Sequence, residues 1–258
     1  MTALRPALFM SFVALLTLLM GIVFAPTLLM GRRHAQGGLR LWSRLVLLGL
    51  RAICGVRHEI RGLDRLPAGP VLIASKHMSM WDTVIFPCLL SDPAFILKKE
   101  LMAIPIYGWY AGKLGMIPID RAGHMSALKA MVREARGRVA EGRSIVIFPE
   151  GTRVPPGAPA DIKPGVVALY RELGIPCVPV ALTSGLHWSA DSRRFTPGTI
   201  RLSFGAPIAP GLARKPFTEA LADALDTGTS ALLAEAGHAP ATAAAPRPKA
   251  VAEADGSQ

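Results

Sequence analysis

The feature that most restricts the possible folds is an alternation, from Pro70 onward, between short apolar runs and longer helical patterns. Short apolar runs bounded by turn residues are typical of buried strands. Strands that alternate with helices predict βα units, and therefore an α/β fold with a mixed, mostly parallel sheet flanked by helices. The predicted strands are residues 71–74, 94–97, 116–119, 144–148, 177–182 and 199–204.

The clearest predicted helix covers residues 126–140, where apolar positions recur every three or four residues and charged ones lie off that stripe. A second helix covers 165–173 and is ended by Gly174, and a last one runs near 217–236. The segment 104–114 contains three large aromatic residues. They either pack inside the domain or lie at a membrane interface.

An apolar run without charged side chains covers residues 7–30. As a helix it is long enough to cross a hydrocarbon core of about 30 Å. No small-residue cleavage site follows it, so we expect it to be retained. Only Arg5 precedes the run, whereas arginines recur after it, so the positive-inside bias places the remainder on the cytoplasmic side of the inner membrane. Pro26 predicts either a kink or the turn of a helical hairpin.

Three regions follow from these patterns. Residues 1–62 are expected to hold membrane-anchoring helices, including a basic amphipathic helix at 39–56 that lies on the membrane or docks on the domain. Residues 57–69 are predicted to be a polar connector, and 63–236 the α/β domain. Residues 237–258 are rich in Ala, Pro and small polar residues and are expected to be a disordered tail.

The net charge of +11 calls for an anionic partner. An aromatic content of only 6% and the lack of a nucleic-acid reader motif argue against nucleic acid, which leaves anionic lipid or a phosphorylated small molecule. Cys54, Cys88 and Cys177 lie in unrelated apolar contexts and are expected to be reduced packing residues, with no metal site.

A histidine and a carboxylate follow the first predicted strand of the domain, as His77 and Asp82. Five residues apart, they meet only if the chain turns between them, because neighbours on a helix are three or four residues apart. Ser79 supplies a helix N-cap with Asp82 in the first turn, which leaves His77 in the preceding loop. The alternative is a helix start whose Asp82 merely favours the macrodipole.

Two other predicted strands end in arginines that could bind an anion. The strand at 144–148 runs into Glu150, Gly151 and Arg153, where glycine admits close backbone approach and arginine offers a planar set of donors. An ordinary loop with Arg153 paired to Glu150 is the alternative. The strand at 116–119 also ends in an acidic and a basic residue, Asp120 and Arg121, and Lys163 could add a third cation near a helix start.

In this order, the segments resemble the four motif blocks of the glycerolipid acyltransferases, most closely the 1-acyl-sn-glycerol-3-phosphate acyltransferase family. The segments are His77 with Asp82, then residues 115–121, then Phe-Pro-Glu-Gly-Thr-Arg at 148–153, then Val-Pro-Val at 178–180. The resemblance covers about 39–182, and the third block is its most specific part. It departs at Lys76, where many members have Asn before the histidine, and this leaves the role of residue 76 open.

The resemblance implies transfer of a fatty acyl group from a thioester to the sn-2 hydroxyl of 1-acyl-glycerol-3-phosphate, which gives phosphatidic acid. His77 would be the general base and Asp82 would orient it. The acceptor phosphate would be held by Arg121, Glu150, Gly151, Thr152, Arg153 and Lys163. No cofactor is implied, and the donor would be acyl-coenzyme A or acyl carrier protein.

Rival functions are the same reaction on another acceptor, such as lyso-ornithine lipid, a lysophospholipid or glycerol 3-phosphate, and a non-catalytic membrane-anchored protein that binds anions. The sequence contains no Gly-x-Ser-x-Gly, which argues against serine hydrolase chemistry. Oligomeric state is left open.

Overall fold

A seven-stranded sheet forms the centre of the fold in the computed structural model, which describes residues 4–120 and 124–238. Its strands are β1 (Val56–Arg61), β2 (Leu72–Ser75), β3 (Ala94–Lys98), β4 (Ile117–Ile119), β5 (Ile145–Ile147), β6 (Cys177–Leu182) and β7 (Gly198–Phe204). Their order across the sheet is β1-β7-β6-β2-β5-β3-β4. Neighbours are parallel except β6 and β7. The predicted mixed, mostly parallel sheet is therefore confirmed.

Helices lie before, between and after the strands. In the described part of the chain they are α1 (Leu4–Val23), α2 (Arg32–Cys54), α3 (Trp81–Leu89), α4 (Tyr107–Lys113), α5 (His124–Ala140), α6 (Pro164–Leu173), α7 (Ser184–His187) and α8 (Arg214–Glu235). The predicted helices at 126–140 and 165–173 correspond to α5 and α6, and Gly174 ends α6 in the left-handed conformation.

The sheet separates two hydrophobic cores. On one face, which we call the hairpin side, residues of α1, α2 and α3 pack on the sheet, with Phe9, Leu50 and Trp81 fully buried or nearly so. On the other, which we call the α8 side, α5, α6 and α8 cover it. Both faces of the central strands β2, β5 and β6 are thus buried, as expected of parallel strands between helical layers.

The segment 57–69 is not the polar connector that its composition predicts, because it begins with strand β1. Val56 to Arg61 pairs in parallel with β7 at the edge of the sheet. An edge strand exposes most of its side chains, and β1 carries Arg57, His58 and Glu59 at exposed positions. The sheet therefore begins at Val56, inside the range 1–62 that was expected to contain only membrane-anchoring helices.

The N-terminal apolar run forms a hairpin rather than one continuous helix. The first helix ends at Val23, and Pro26 lies in a 3₁₀ turn, Ala25–Leu28, that precedes α2. The helices α1 and α2 pack antiparallel, because contacts between them pair later residues of α2 with earlier residues of α1. Trp42 Nε1 donates to Thr17 Oγ1 at 3.0 Å. Nearer the open end, a Cβ on Gly49 would lie 2.3 Å from the Phe12 ring. The predicted amphipathic helix at 39–56 is the second half of α2.

An exposed apolar surface runs along α1. Among the described residues, α1 is the one helix long and apolar enough to cross a membrane. The aromatic residues of the segment 104–114 take two kinds of position. Trp109 is 61% exposed, whereas Tyr110 packs against α1, where its hydroxyl donates to the Gly21 carbonyl at 3.1 Å. The apolar surface of α1 therefore continues onto α4.

An aromatic cluster fixes α1 to the domain. Phe9 is fully buried, and its ring lies 5.3 Å from the Trp188 ring and 5.2 Å from the Phe195 ring in edge-on geometry. Trp188 and Phe195 face each other across a β-bridge in the segment between α7 and β7. Such aromatic pairs add about 0.5–1.5 kcal/mol beyond the area that they bury.

We predict that Phe9→Ala weakens the docking of α1 on the domain and lowers the free energy of unfolding in detergent by about 3–5 kcal/mol, since it leaves a cavity between Trp188 and Phe195. Leu8→Ala is the matched control, because Leu8 is 55% exposed on the same helix. It should change the unfolding free energy by less than about 0.5 kcal/mol. Equal losses for the two variants, measured by chemical denaturation, would contradict this account of docking.

Candidate active site

A buried carboxylate organises the turn between β2 and α3. Asp82 is 0% exposed, and its Oδ2 accepts hydrogen bonds from the backbone N–H groups of Met78 at 2.6 Å and Ser79 at 2.9 Å. The Ser79 hydroxyl in turn accepts the Trp81 N–H at 3.2 Å. These reciprocal bonds resemble a capping box, but the N-cap of α3 is Met80 and not Ser79 as predicted, and Asp82 is the second helical residue.

The same turn brings His77 against Asp82. His77 Nδ1 lies 3.0 Å from Asp82 Oδ2, so the predicted meeting of the two side chains is present. Because a buried carboxylate accepts, Nδ1 carries the proton and Nε2 is the nitrogen with a free lone pair. The imidazole stacks on Phe148 with ring centroids 4.1 Å apart, and its side chain is 14% exposed.

The loop after β5 holds the backbone of His77 from both sides. The Val154 N–H donates to the His77 carbonyl at 2.8 Å, and the His77 N–H donates to Glu150 Oε2 at 3.1 Å. Gly151 turns this loop in the left-handed conformation, with φ of +71°. Because β2 and β5 are parallel neighbours, their carboxyl ends meet at one edge of the sheet, which is where α/β folds usually bind ligands.

Glu150 is as buried as Asp82, and the protein occupies both of its oxygens. Besides the bond from His77, its Oε1 lies 2.8 Å from the Lys76 ammonium. Burial raises the pKa of the Glu150 carboxyl, although Lys76 and the His77 N–H oppose that rise. The sequence left open an ion pair between Glu150 and Arg153. In the structure Glu150 instead pairs with Lys76.

The other predicted anion ligands are spread along the 148–163 loop. Thr152 is exposed, and the Arg153 guanidinium donates to the Ala190 carbonyl at 2.7 Å. This contact ties Arg153 to the segment that holds Phe9. Lys163 lies at the far end of the loop, where its ammonium pairs with Asp161 at 2.6 Å. Arg121 lies outside the described residues.

The sequence patterns did not assign a role to three residues near the site, Lys76, Lys99 and Asp226. Lys76 was noted only as a departure, yet its buried ammonium reaches across to Asp226 of α8 at 3.4 Å. Lys99 follows β3 at the same sheet edge and lies 3.4 Å from Asp120. For Lys76, the available signal was a lysine directly after a strand buried on both faces. For Asp226 there was no local signal, because its contact depends on how α8 packs.

Comparison with known proteins agrees with this geometry. Residues 57–183 match the family model described as Acyltransferase. This span includes His77, Asp82 and the 148–153 loop.

Sequence relatives carry one activity in their names. A 1-acyl-sn-glycerol-3-phosphate acyltransferase of Pseudomonas aeruginosa is 35% identical over 164 residues, which cover 64% of each chain. The alpha form from Mus musculus is 30% identical over 186 residues, which cover 70% of this chain and 65% of the relative. This chain therefore spans just under two thirds of the length of both relatives.

A solved structure supports the fold. The 1-acyl-sn-glycerophosphate (LPA) acyltransferase PlsC from Thermotoga maritima superposes with a TM-score of 0.74 at 24% sequence identity, over 90% of this chain and 96% of that one. The superposition shows a shared fold, and the family-model match identifies residues 57–183 as an Acyltransferase domain. These residues therefore form a domain of the Acyltransferase family, and both relatives are named 1-acyl-sn-glycerol-3-phosphate acyltransferases. The predicted resemblance is confirmed.

We predict that Asp82→Ala destabilises the fold, whereas His77→Ala does so much less. Removing the Asp82 carboxylate leaves the buried N–H groups of Met78 and Ser79 without an acceptor, at a cost of about 1–3 kcal/mol each. His77→Ala keeps both of those bonds and removes a side chain that is partly exposed. Unfolding free energies from denaturant titration test the difference, and equal losses for the two variants would contradict the assigned bonding of Asp82.

Proposed function

We propose that this protein transfers a fatty acyl group from an acyl thioester to the sn-2 hydroxyl of 1-acyl-glycerol-3-phosphate and so forms phosphatidic acid. The observation that carries the proposal is the His77–Asp82 contact at a strand end beside the Phe-Pro-Glu-Gly-Thr-Arg loop. The names of the relatives supply the acceptor.

His77 is the general base in this proposal. Its Nε2 takes the proton of the acceptor hydroxyl as that oxygen attacks the thioester carbonyl. The tetrahedral intermediate then collapses, the C–S bond breaks, and the imidazolium returns the proton to the departing thiolate. The products are an ester and a free thiol, and no acyl-enzyme, cofactor or metal takes part.

Asp82 has two tasks in this scheme. It holds the imidazole in the tautomer that leaves Nε2 unprotonated, and it stabilises the imidazolium that forms during attack, as the aspartate does in a serine-protease triad. Full burial and bonds from Met78 and Ser79 keep the carboxylate in one orientation.

The acceptor phosphate is bound by cations at the carboxyl edge of the sheet. Arg153 offers a planar fork of donors that suits phosphate oxygens, and Gly151 and Thr152 border the same loop. Arg121, whose neighbour Asp120 follows β4 at this edge, is a further proposed ligand, as is Lys163 if its ammonium leaves Asp161. Fixing the phosphate orients the glycerol hydroxyl toward His77.

The N-terminal hairpin brings this site to the lipid. We place residues 1–54 at the cytoplasmic inner membrane, with the sheet domain, from Val56 to about residue 236, on the cytoplasmic side. The exposed apolar face of α1 enters the bilayer, while α2 presents an exposed stripe of Leu41, Arg44, Leu48 and Arg51 that suits an anionic interface. The lysolipid then arrives from the membrane, and the coenzyme A or acyl carrier protein thioester from solution.

We predict that Arg153→Ala raises the KM for lysophosphatidate and leaves kcat largely intact. Loss of one hydrogen bond to a charged group costs about 1.5–3 kcal/mol, which is roughly a 10- to 100-fold increase in KM. The assay measures thiol release and phosphatidate formation with oleoyl-coenzyme A or oleoyl-acyl carrier protein as donor.

Two controls sharpen this assay. Arg136→Ala removes an equal charge from a surface ion pair on α5 and should leave KM unchanged. Monoacylglycerol lacks the phosphate, so the wild type should use it poorly and Arg153→Ala should not worsen that use. An unchanged KM for lysophosphatidate in Arg153→Ala would argue against phosphate binding, and efficient use of monoacylglycerol by the wild type would argue against the proposed acceptor.

A further inference from the structure

A buried lysine next to the proposed base makes contacts that the reaction scheme does not use. The Lys76 side chain is 0% exposed, and its ammonium lies 2.8 Å from Glu150 Oε1 and donates to the Ala158 carbonyl at 2.7 Å. Asp226 Oδ1 is a third neighbour at 3.4 Å. Burial of an ammonium is costly unless it is paired and hydrogen-bonded, so this arrangement requires all of its partners to be in place.

The lysine reaches these partners because it points to the face opposite His77. Successive side chains of an extended strand alternate between faces. In β2, Ile73 packs in the hairpin-side core and Ala74 in the α8-side core. Lys76 continues the strand pairing, with its N–H bonded to the Val180 carbonyl at 3.0 Å, so it points to the α8 side.

Glu150 connects this buried ammonium to the base. One carboxylate oxygen faces Lys76, and the other accepts the N–H of His77 at 3.1 Å. The carboxylate therefore links adjacent residues whose side chains point in opposite directions. Asp226 also accepts the Ala160 N–H at 2.8 Å, so α8 fixes the far part of the same loop.

We propose that Lys76, Glu150 and Asp226 form a positioning cluster that sets the place of the His77 imidazole relative to the acceptor hydroxyl, and that Glu150 does not contact the acceptor phosphate. The inference rests on the proposed function of His77. It gives residue 76 a role, because a lysine there neutralises a carboxylate that is buried beside the base. It also extends the site to α8, which lies beyond the family-model span of 57–183.

Loss of the ammonium would weaken the bond to the His77 backbone. A buried carboxylate that has lost its cation is unstable in place and turns toward water, and it then no longer accepts the His77 N–H. A misplacement of about 1 Å in a catalytic group lowers turnover by roughly 100-fold. Acceptor binding depends on other residues and should change little.

The test compares kcat and KM for lysophosphatidate with oleoyl-coenzyme A in Lys76→Met, Glu150→Gln, Glu150→Ala and the double variant Lys76→Met/Glu150→Gln. Lys76→Met should lower kcat by about 100-fold while KM stays nearly constant. The double variant should recover part of that loss, because an amide oxygen still accepts the His77 N–H and no unpaired charge is left. Lys215→Met, at an 86% exposed lysine of α8, is the matched control and should behave as the wild type.

If Lys76→Met does not fold, the Glu150 variants test the positioning cluster instead. In both of them Lys76 keeps Asp226 and Ala158 as partners. Glu150→Gln should retain most of the wild-type kcat and Glu150→Ala should lose it, at equal KM. A purely structural role would lower thermal stability without this split in kcat between Gln and Ala. An increase in KM with unchanged kcat in Glu150→Ala would assign Glu150 to the acceptor phosphate and overturn the proposal.

Amide hydrogen exchange separates this inference from the proposed function. Peptides that contain His77 should exchange faster in Glu150→Ala than in Glu150→Gln, whether or not the protein transfers acyl groups. Equal exchange in the two variants would overturn the positioning cluster. Faster exchange in a protein whose wild type transfers no acyl group would instead refute the proposed function and leave the cluster in place.

Discussion

The buried carboxylate of Asp82 is the interaction on which the site depends. A charge without access to water must be compensated by donors, and here three converge on one oxygen: the N–H groups of Met78 and Ser79 and the Nδ1 of His77. These bonds start α3 and orient the imidazole. The helix start and the proposed base are therefore one structural unit, and a change at Asp82 affects stability as well as chemistry.

A second buried carboxylate, Glu150, holds the same histidine from the other side. Asp82 bonds to the ring, whereas Glu150 bonds to the backbone N–H and takes its counterion, Lys76, from the opposite face of the sheet. Asp82 thus fixes the ring and Glu150 fixes the backbone, while Phe148 stacks against the ring. Such preorganisation suits a base that must remove a proton without rearranging its surroundings.

Sequence predicted those features that depend on local pattern. Short apolar runs predicted six of the strands, and the spacing of His77, Ser79 and Asp82 predicted a turn that brings the imidazole and the carboxylate together. Sequence failed where tertiary packing decides. Strand β1 was missed because an edge strand keeps its charged residues in water. For the run 7–30, Pro26 predicted either a kink or a hairpin turn, and the packing of α2 against α1 shows that it is the turn.

The same limit applies to the site. The motif at 148–153 placed Glu150 among the phosphate ligands, but the motif alone does not reveal that both of its oxygens are engaged by Lys76 and His77. Asp226 reaches the cluster only because α8 folds back across the sheet, a contact between positions 150 residues apart. The docking of α1 through Phe9, next to the segment that holds Arg153, also depends on long-range packing.

The most direct test of the account is formation of phosphatidic acid by the wild type and by His77→Gln, in vesicles that contain lysophosphatidate with acyl thioester added outside. The account predicts one free thiol for each phosphatidic acid formed by the wild type. It predicts a loss of kcat of about 10²–10⁴-fold in the variant, with both KM values nearly unchanged, as expected when a general base is removed. A folded His77→Gln protein with near wild-type kcat would contradict the central claim.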